Sequence, residues 1–526
     1  MQICKKTKIA LVNPNNRGSY RSNYLTRENL GLGYLASWLI KNNCEVRIYD
    51  ARLEKKGPDI IAKDILSFGP DVVGVSLIVK EASYWTRRLT EYLKDGGIKA
   101  QIVMGNYFPS LQPKRALDLI PEANYIVKGE GELSLLGLVQ RINKKRNLTG
   151  IEGIFIKNKI GKIYFTGRGK LISNLDFLPF PYRYADENQI TEISIEGSRG
   201  CFYNCTFCAI PCHFDADPRY KWRARSADHI IAEIIQLRKR YPNINIYRFV
   251  DPDFIGYKKT GEKRVLEFAK LVIKHRLDIK FYIETRSSNV EDIKLWEILK
   301  KAGLRQVYIG VETGSPKIKR MMDKKSYFFQ DEKAIALLRS IGINTQYGFM
   351  MFTPWTTEKD ILLNIRFIKQ IGYAGLDKFF QEMNLVPGTK ALELAQEIET
   401  IFPDGDTGYY TYNLPPIVDR LRKIGRMFED AKYVYFLERI WFLYKDIQYL
   451  SQLGISKTDI FKNNLNDLNF HVFTFCLKSA RKAKSSDDNI LISIVEQCIE
   501  KFIPKIKLLE EKLNLKIHFL TDIGHR

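Results

Sequence analysis

The sequence predicts an α/β protein made of two successive parallel-sheet units followed by a helical tail. Apolar, strand-like runs separated by helix-length segments recur from residue 7 to residue 383, the pattern of parallel strands joined by crossover helices. A close-set cysteine array at 201–208 interrupts that alternation. Beyond residue 405 it gives way to aromatic-rich segments with three- and four-residue apolar spacing. At 526 residues the chain exceeds what one hydrophobic core sustains, so two or three domains are expected.

The first unit opens with a buried strand, Thr7 to Val12, ended by Asn13-Pro14-Asn15. A helix starts at Leu30-Gly31-Leu32-Gly33, and further strands follow at Glu45 to Asp50, Asp71 to Ser76 and Ala100 to Gly105. Gly105, at a strand end, allows a ligand to approach the carboxyl edge of such a sheet. No G-x-G-x-x-G turn follows the first strand, which weighs against an ordinary dinucleotide site. The unit's distinctive loops are Gly105-Asn106-Tyr107-Phe108-Pro109 and Lys128-Gly129-Glu130-Gly131-Glu132. Residues 145–189 read as a connector, with an extended pair at Ile151 to Ile156 and Lys162 to Thr166. The prolines of Leu178-Pro179-Phe180-Pro181-Tyr182 then favour an extended path.

In the second unit, a strand from Ile190 to Glu196 leads through Gly197-Ser198-Arg199-Gly200 into Cys201, Cys205 and Cys208, a C-x3-C-x2-C array. Three thiolates can hold three irons of a four-iron cluster and leave the fourth open, because closure by protein alone takes four. A zinc knot, with Cys212 or His213 as fourth ligand, is the alternative that this spacing leaves open. Ser226 is placed to cap a helix over His229 to Arg240. Strands follow at Asn245 to Asp251, Lys280 to Arg286, Gln306 to Glu312, Thr345 to Met351 and Lys378 to Met383. The planar fork of Arg286, beside Glu284, suits a carboxylate partner. In the tail, Tyr409 to Tyr412 form an aromatic cluster, Pro415-Pro416 marks a break, and Ile417 to Lys432, Tyr433 to Gln452 and Ile490 to Lys512 read as amphipathic helices. Such a tail would close the mouth of the second unit, bind an extended substrate or mediate dimerisation.

The composition, 45% apolar and 27% charged, is that of a globular protein. No apolar run is long enough to span a bilayer, and neither membrane insertion nor a secretory leader is expected. Eight cysteines in so long a chain do not form a disulfide framework, and with an oxygen-sensitive array they point to a reduced compartment, the cytoplasm. The net charge of +23 is dispersed over many segments without an RNA-binding signature, so it reads as a lysine-rich solvated surface rather than a nucleic-acid site.

The array Cys201, Cys205, Phe207, Cys208 resembles the motif of the radical S-adenosylmethionine (SAM) enzymes. The loop Asp251-Pro252-Asp253-Phe254, the strand end Gly310-Val311-Glu312-Thr313-Gly314-Ser315 and the turn Pro387-Gly388-Thr389 resemble further motifs of that family, in the same order. Val12-Asn13-Pro14, Gly31-Leu32-Gly33, Asp71-Val72-Val73-Gly74 and the two distinctive loops resemble the cobalamin-binding domain that precedes the radical SAM core in one large subfamily. The implied fold class is α/β: a Rossmann-like cobalamin-binding domain (1–144), a connector (145–189), a partial (β/α)6 radical SAM barrel (190–400) and a helical C-terminal domain (401–526). The resemblance implies a [4Fe-4S] cluster on Cys201, Cys205 and Cys208, with SAM on the open iron. Phe207, Asp251, Glu284, Arg286 and Glu312 would lie around SAM, and Gly105, Asn106, Tyr107, Phe108, Gly129 and Glu130 around cobalamin. Tyr107 and Phe108 would pack near the lower corrin face, since no Asp-x-His-x-x-Gly motif supplies a cobalt ligand. The implied function is methyl transfer from methylcobalamin to an unactivated carbon of a small-molecule or peptide precursor, fed by a donor such as flavodoxin or ferredoxin. A radical rearrangement, cyclisation or oxidation, with or without cobalamin, is the enzymatic alternative. A cluster-containing RNA- or protein-binding module is the non-enzymatic one.

Overall fold

Two parallel sheets lie in series in the computed structural model, which describes residues 6–15, 26–143, 148, 150–158, 160–214, 221–372, 375–398, 401–403, 410–452 and 458–523. The first comprises β1 (Lys8–Asn13), α1 (Leu30–Lys41), β2 (Glu45–Asp50), α2 (Ala51–Glu54), α3 (Pro58–Phe68), β3 (Val72–Ser76), α4 (Ala82–Asp95), β4 (Gln101–Gly105), α5 (Tyr107–Leu111), α6 (Pro113–Leu119), β5 (Tyr125–Val127) and α7 (Gly131–Asn143). Its strand order is β2-β1-β3-β4-β5, all parallel. Side chains of β1 alternate between two cores: Ile9 and Leu11 pack with Leu32 and Leu39 of α1, Ala10 and Val12 with Ile61 and Ile65 of α3. The order reverses between β1 and β3, which opens a crevice beyond their carboxyl ends where such sheets bind ligands.

The segment read as connector does more than span. β6 (Ile154–Lys157) and β7 (Ile163–Phe165) extend the first sheet as two antiparallel strands, beyond β5. The proline-rich path then runs back over α1, with Tyr182 N–H donating to Gly33 O at 3.0 Å. A Cβ on Gly33 would lie 2.8 Å from the Tyr182 carbonyl, so only glycine admits this crossing.

The second unit contains β8 (Ile193–Ile195), β9 (Ser198–Gly200), α8 (Ala209–Phe214), β10 (Trp222–Ala224), α9 (Ala227–Arg240), β11 (Ile246–Phe249), α10 (Lys258–Lys274), β12 (Lys280–Thr285), α11 (Ile293–Lys301), β13 (Leu304–Glu312), α12 (Pro316–Met321), α13 (Phe328–Ser340), β14 (Asn344–Phe349) and α14 (Glu358–Ile371). Five parallel strands, ordered β8-β11-β12-β13-β14, curve into a partial barrel. Ser226 caps α9 as expected, accepting from His229 N–H at 3.2 Å. Lys378 to Met383 is not a full strand: α15 (Asp377–Phe380) occupies its start, and only a parallel bridge between Phe352 and Glu382 marks the sixth position. Phe379 is drawn into the aromatic core with Phe470 and Phe473, and this tertiary packing overrides the local strand pattern.

The chain continues through α16 (Lys390–Gln396), β15 (Ile401–Pro403), β16 (Tyr410–Tyr412), α17 (Pro416–Met427), α18 (Val434–Gln452), α19 (Thr458–Lys482) and α20 (Asp488–Ile523). Gly405 and Tyr409, singled out in the sequence, lie outside the described residues. Helices α17 to α20 share one continuous hydrophobic core with the outer helices of the barrel. On the barrel's concave side, Tyr444 of α18 meets Gln346 of β14 at 3.0 Å. No helix among the described residues is long and apolar enough to cross a membrane.

Candidate active site

The cysteine loop leaves β8 through a turn that its surroundings define closely. Asp251 accepts from Gly197 N–H at 2.9 Å and from Ser198 Oγ at 2.6 Å, and is fully buried. Gly200 adopts φ 79°, and a Cβ there would sit 2.0 Å from the Lys221 carbonyl. Thr206 donates from its N–H to Met322 O and from its hydroxyl to Met321 O, while Ala391 N–H donates back to Thr206 O. Phe207 packs into a small core at the barrel mouth with Met321. The loop is thus fixed at both ends, and its three thiols are free cysteines of intermediate exposure.

Cationic groups flank these thiols. Arg286, at the end of β12, lies flat on Tyr203 with its guanidinium 3.3 Å from the ring centroid, and its Nη1 is 3.7 Å from Cys205 Sγ. Its Nε and Nη2 are buried without a hydrogen-bond partner. Lys324 pairs with Glu312 at 3.0 Å. Burial works against the Lys324 ammonium, but Glu312 and Cys205 outweigh it and hold its pKa above the ordinary lysine value. Burial also pushes the Cys201 thiol up to about 11 and the Cys208 thiol up to about 12, so neither is a thiolate nucleophile by itself. Three loop thiols beside two cations suit an anionic iron-sulfur cluster, and the unpartnered guanidinium nitrogens of Arg286 suit a carboxylate.

The zinc alternative finds no fourth ligand. The Cys212 thiol faces Gly388 O at 2.9 Å, and the His213 ring stacks on Tyr107 at 4.1 Å. Among the described residues no three His, Cys, Asp or Glu side chains converge closely enough to hold a single metal ion.

Period-two alternation along the strands lines the barrel lumen with Arg248, Glu284, Tyr308, Glu312 and Gln346. Gly310 and Gly348 make room for the Glu312 side chain, since a Cβ on either would meet one of its carboxylate oxygens within 3.0 Å. Glu312 itself adopts φ 75°, an unusual backbone state for glutamate that costs roughly 1–3 kcal/mol. Glu284 points into the lumen and stays accessible there, while partial desolvation by the surrounding protein pushes its carboxyl up to about 7 against the pull of Arg248 and Arg27. Those two arginines share Glu192, at 2.8 and 3.0 Å.

The other half of the site is the first sheet's crevice. A cavity of about 230 Å³ lies there, bounded by Gly31, Gly74, Gly105, Gly129 and Gly131 and, across the interface, by Glu196 and Arg199. Asn106 lines it with φ 82°; its amide donates to Ser76 Oγ at 3.0 Å and its carbonyl caps Tyr107 N–H. Five glycines leave a cradle without Cβ atoms, which fits close approach by a large cofactor. The volume is below that of a typical drug-sized pocket, so these residues would hold only part of a corrinoid.

Several implied contacts have other partners. Phe108 is 5% exposed and packs in the first unit's core. Tyr107 stacks on His213. Asp251 braces the cysteine turn with both oxygens, at full burial. Glu130 borders the cavity, but its carboxylate pairs with Arg223 and lies 3.5 Å from Arg199. Gly129 packs under α8, its Cβ position being 3.2 Å from His213 O. The sequence marks neither Arg199 nor Arg223 as functional, and it offers His213 only as a zinc ligand. Only their nearness to the cysteines hinted at a role, because their partners lie far away in the chain.

The Radical SAM superfamily model matches residues 195–368 and the B12 binding domain model matches residues 24–139. An uncharacterized methyltransferase of Pyrococcus horikoshii is 29% identical over 376 residues, covering 70% of this chain and 78% of its own. The 4'-phospho-dehydrooxetanocin synthase of Priestia megaterium is 27% identical over 357 residues, covering 62% of this chain and 46% of its own. The cobalamin-dependent S-adenosylmethionine radical enzyme OxsB, solved with aqua-cobalamin bound, shares the fold: TM-score 0.75 at 19% identity, over 99% of this chain and 81% of that one. The chain combines a radical SAM domain with a B12-binding domain, the pairing of the cobalamin-dependent radical SAM enzymes. It is a radical SAM enzyme whose cofactors are a [4Fe-4S] cluster, SAM and cobalamin.

Proposed function

We propose that this enzyme transfers a methyl group to an unactivated carbon of a small-molecule or peptide precursor. One observation carries the reading: the corrinoid cavity and the cysteine loop are neighbours across a single interface, bridged by Tyr107, His213 and the Arg199 side chain. Bound together, the cluster with SAM supplies a carbon-centred radical, and cobalamin supplies the methyl group. In this reading Cys201, Cys205 and Cys208 hold three irons, and Phe207 packs the loop against the barrel mouth. Arg286 orients the SAM carboxylate through its two unpartnered nitrogens, and Glu312, tethered by Lys324, holds the amine or ribose side. Gly105, Asn106 and Gly129 form the cobalamin cradle. The lumen under α18 takes the substrate and excludes water from the radical. An external one-electron donor such as flavodoxin or ferredoxin completes the cycle. The methyltransferase name of the Pyrococcus relative supports this assignment.

The test uses SAM labelled in its methyl group, with reductant, cobalamin and candidate precursors. Label in the product, together with S-adenosylhomocysteine and 5′-deoxyadenosine, is the expected result; product without label overturns it. The synthase name of the Priestia relative favours a second reading, a radical rearrangement or ring-forming step. A product lacking the added CH2 while 5′-deoxyadenosine still forms would select that reading.

A further inference from the structure

His213 is 6% exposed, yet neither ring nitrogen makes a hydrogen bond among the described residues, and Nδ1 is wholly buried without a partner. Leaving such a group unsatisfied costs roughly 1–3 kcal/mol, which marks it as a group waiting for a ligand. His213 lines the crevice cavity together with the glycine cradle, and its ring stacks on Tyr107 at 4.1 Å with an interplanar angle of 27°. Phe214 meets the ring edge-on at 5.2 Å, so its orientation is set from two sides before any cofactor arrives. Burial also keeps the imidazole neutral, with one N–H to donate and one lone pair to accept.

The position of His213 in the chain gives the contact its meaning. It sits on α8, which begins at the residue after Cys208, and Cys212 beside it is anchored on Gly388. The backbone carbonyl of His213 lies over Gly129 of the cradle. One six-residue helix therefore runs from the cysteine loop to the corrinoid cavity.

We propose that His213 is a corrinoid-binding residue: its imidazole hydrogen-bonds the part of the cofactor that enters the cavity, and α8 thereby ties the corrinoid to the cluster loop. The chemistry is that of a neutral hydrogen-bonding group meeting an amide or phosphate on the cofactor's periphery. The assignment rests on cobalamin as cofactor and is independent of whether the reaction is a methylation.

Two variants separate hydrogen bonding from packing. His213→Phe keeps an aromatic ring on Tyr107 but no ring nitrogen, and His213→Gln keeps hydrogen-bonding capacity but no ring. Both would be reconstituted with iron and sulfide without oxygen and titrated with hydroxocobalamin by equilibrium dialysis, alongside iron content and thermal midpoint. The expected result is about tenfold weaker corrinoid binding in His213→Phe, corresponding to one lost hydrogen bond with its partner stranded. Iron content and thermal midpoint should be unchanged, and affinity in His213→Gln should be closer to the native protein's. Native affinity in His213→Phe overturns the proposal. So does an equal loss in both variants, or a loss that follows iron content or thermal stability, because each would assign the residue to packing alone. Turnover enters none of these readouts, so a failure of the methylation reading leaves them interpretable.

Discussion

Both oxygens of Asp251 accept from the turn that precedes the cysteines, from Gly197 N–H and Ser198 Oγ, at full burial. Asp251→Ala would leave the Gly197 N–H without an acceptor and the Ser198 hydroxyl with only Asp253 O at 3.3 Å, a loss of about 1–3 kcal/mol. Denaturant unfolding of the apoprotein should show this loss, and reconstituted Asp251→Ala should retain less iron than the native protein; full iron retention would mean that the loop holds its shape without this brace. Glu284 supports a prediction of the opposite sign. Its side chain stays accessible in the lumen, but partial desolvation by the surrounding protein raises its carboxyl from the ordinary glutamate range to about 7. A group whose folded pKa exceeds its unfolded value contributes stability that is complete below the unfolded pKa and lost as pH rises through the folded one. The window is therefore roughly pH 4.5 to 7. Glu284→Gln does not titrate, so its thermal midpoint should rise relative to native protein as pH climbs through that window and hold a constant offset above it. Parallel midpoint-versus-pH curves for the two proteins would show that Glu284 does not titrate there.

At the scale of elements, the glycines of the cysteine turn carry the sharpest constraint. Gly200→Ala would force a left-handed backbone on alanine, costing roughly 1–3 kcal/mol, and would drive the new Cβ into the Lys221 carbonyl, 2.0 Å away. The β9–β10 pairing must then give way, and iron content per chain should fall well below that of native protein; equal iron content would mean that the turn relaxes freely. Elements of this kind were legible in the sequence because local chemistry writes them: the C-x3-C-x2-C array, the Ser226 cap and the buried runs of β1, β3 and β13 need no distant partner. Other assignments were not legible. The place of Phe108 in the first unit's core depends on distant partners, and Lys378 to Met383 reads as a strand until Phe379 is drawn towards Phe470 and Phe473. Strands β6 and β7 were recognised as an extended pair, but their membership in the first sheet depends on backbone pairing with β5. Arg199 and Arg223 acquire roles only when two domains meet, which no local pattern encodes.

For the whole molecule, that meeting is an ionic clamp between the two cofactor sites. Glu130 and Glu132 of the first unit face Arg199 and Arg223 of the second, all nearly buried; Glu132 pairs with Arg199 at 2.8 Å, and Arg223 also donates to Ile172 O at 2.8 Å. Tyr34 adds its ring under Arg199 and its hydroxyl beside Arg225. Breaking a buried pair from one side strands a charge and costs about 3–5 kcal/mol, whereas replacing both partners by apolar groups of similar size is often nearly neutral. Glu130→Met alone should therefore loosen the interface, with faster proteolytic cleavage near residues 145–189 and weaker corrinoid retention. The double variant Glu130→Met with Arg223→Met should recover most of the lost stability. The cofactor-free protein distinguishes this clamp from direct corrinoid binding by Glu130. If the stability deficit of Glu130→Met and its rescue by the second substitution are already present without cobalamin, the residue acts through the interface. If apoprotein stability is untouched and only corrinoid affinity falls, Glu130 belongs to the cofactor, and the clamp does not couple the domains.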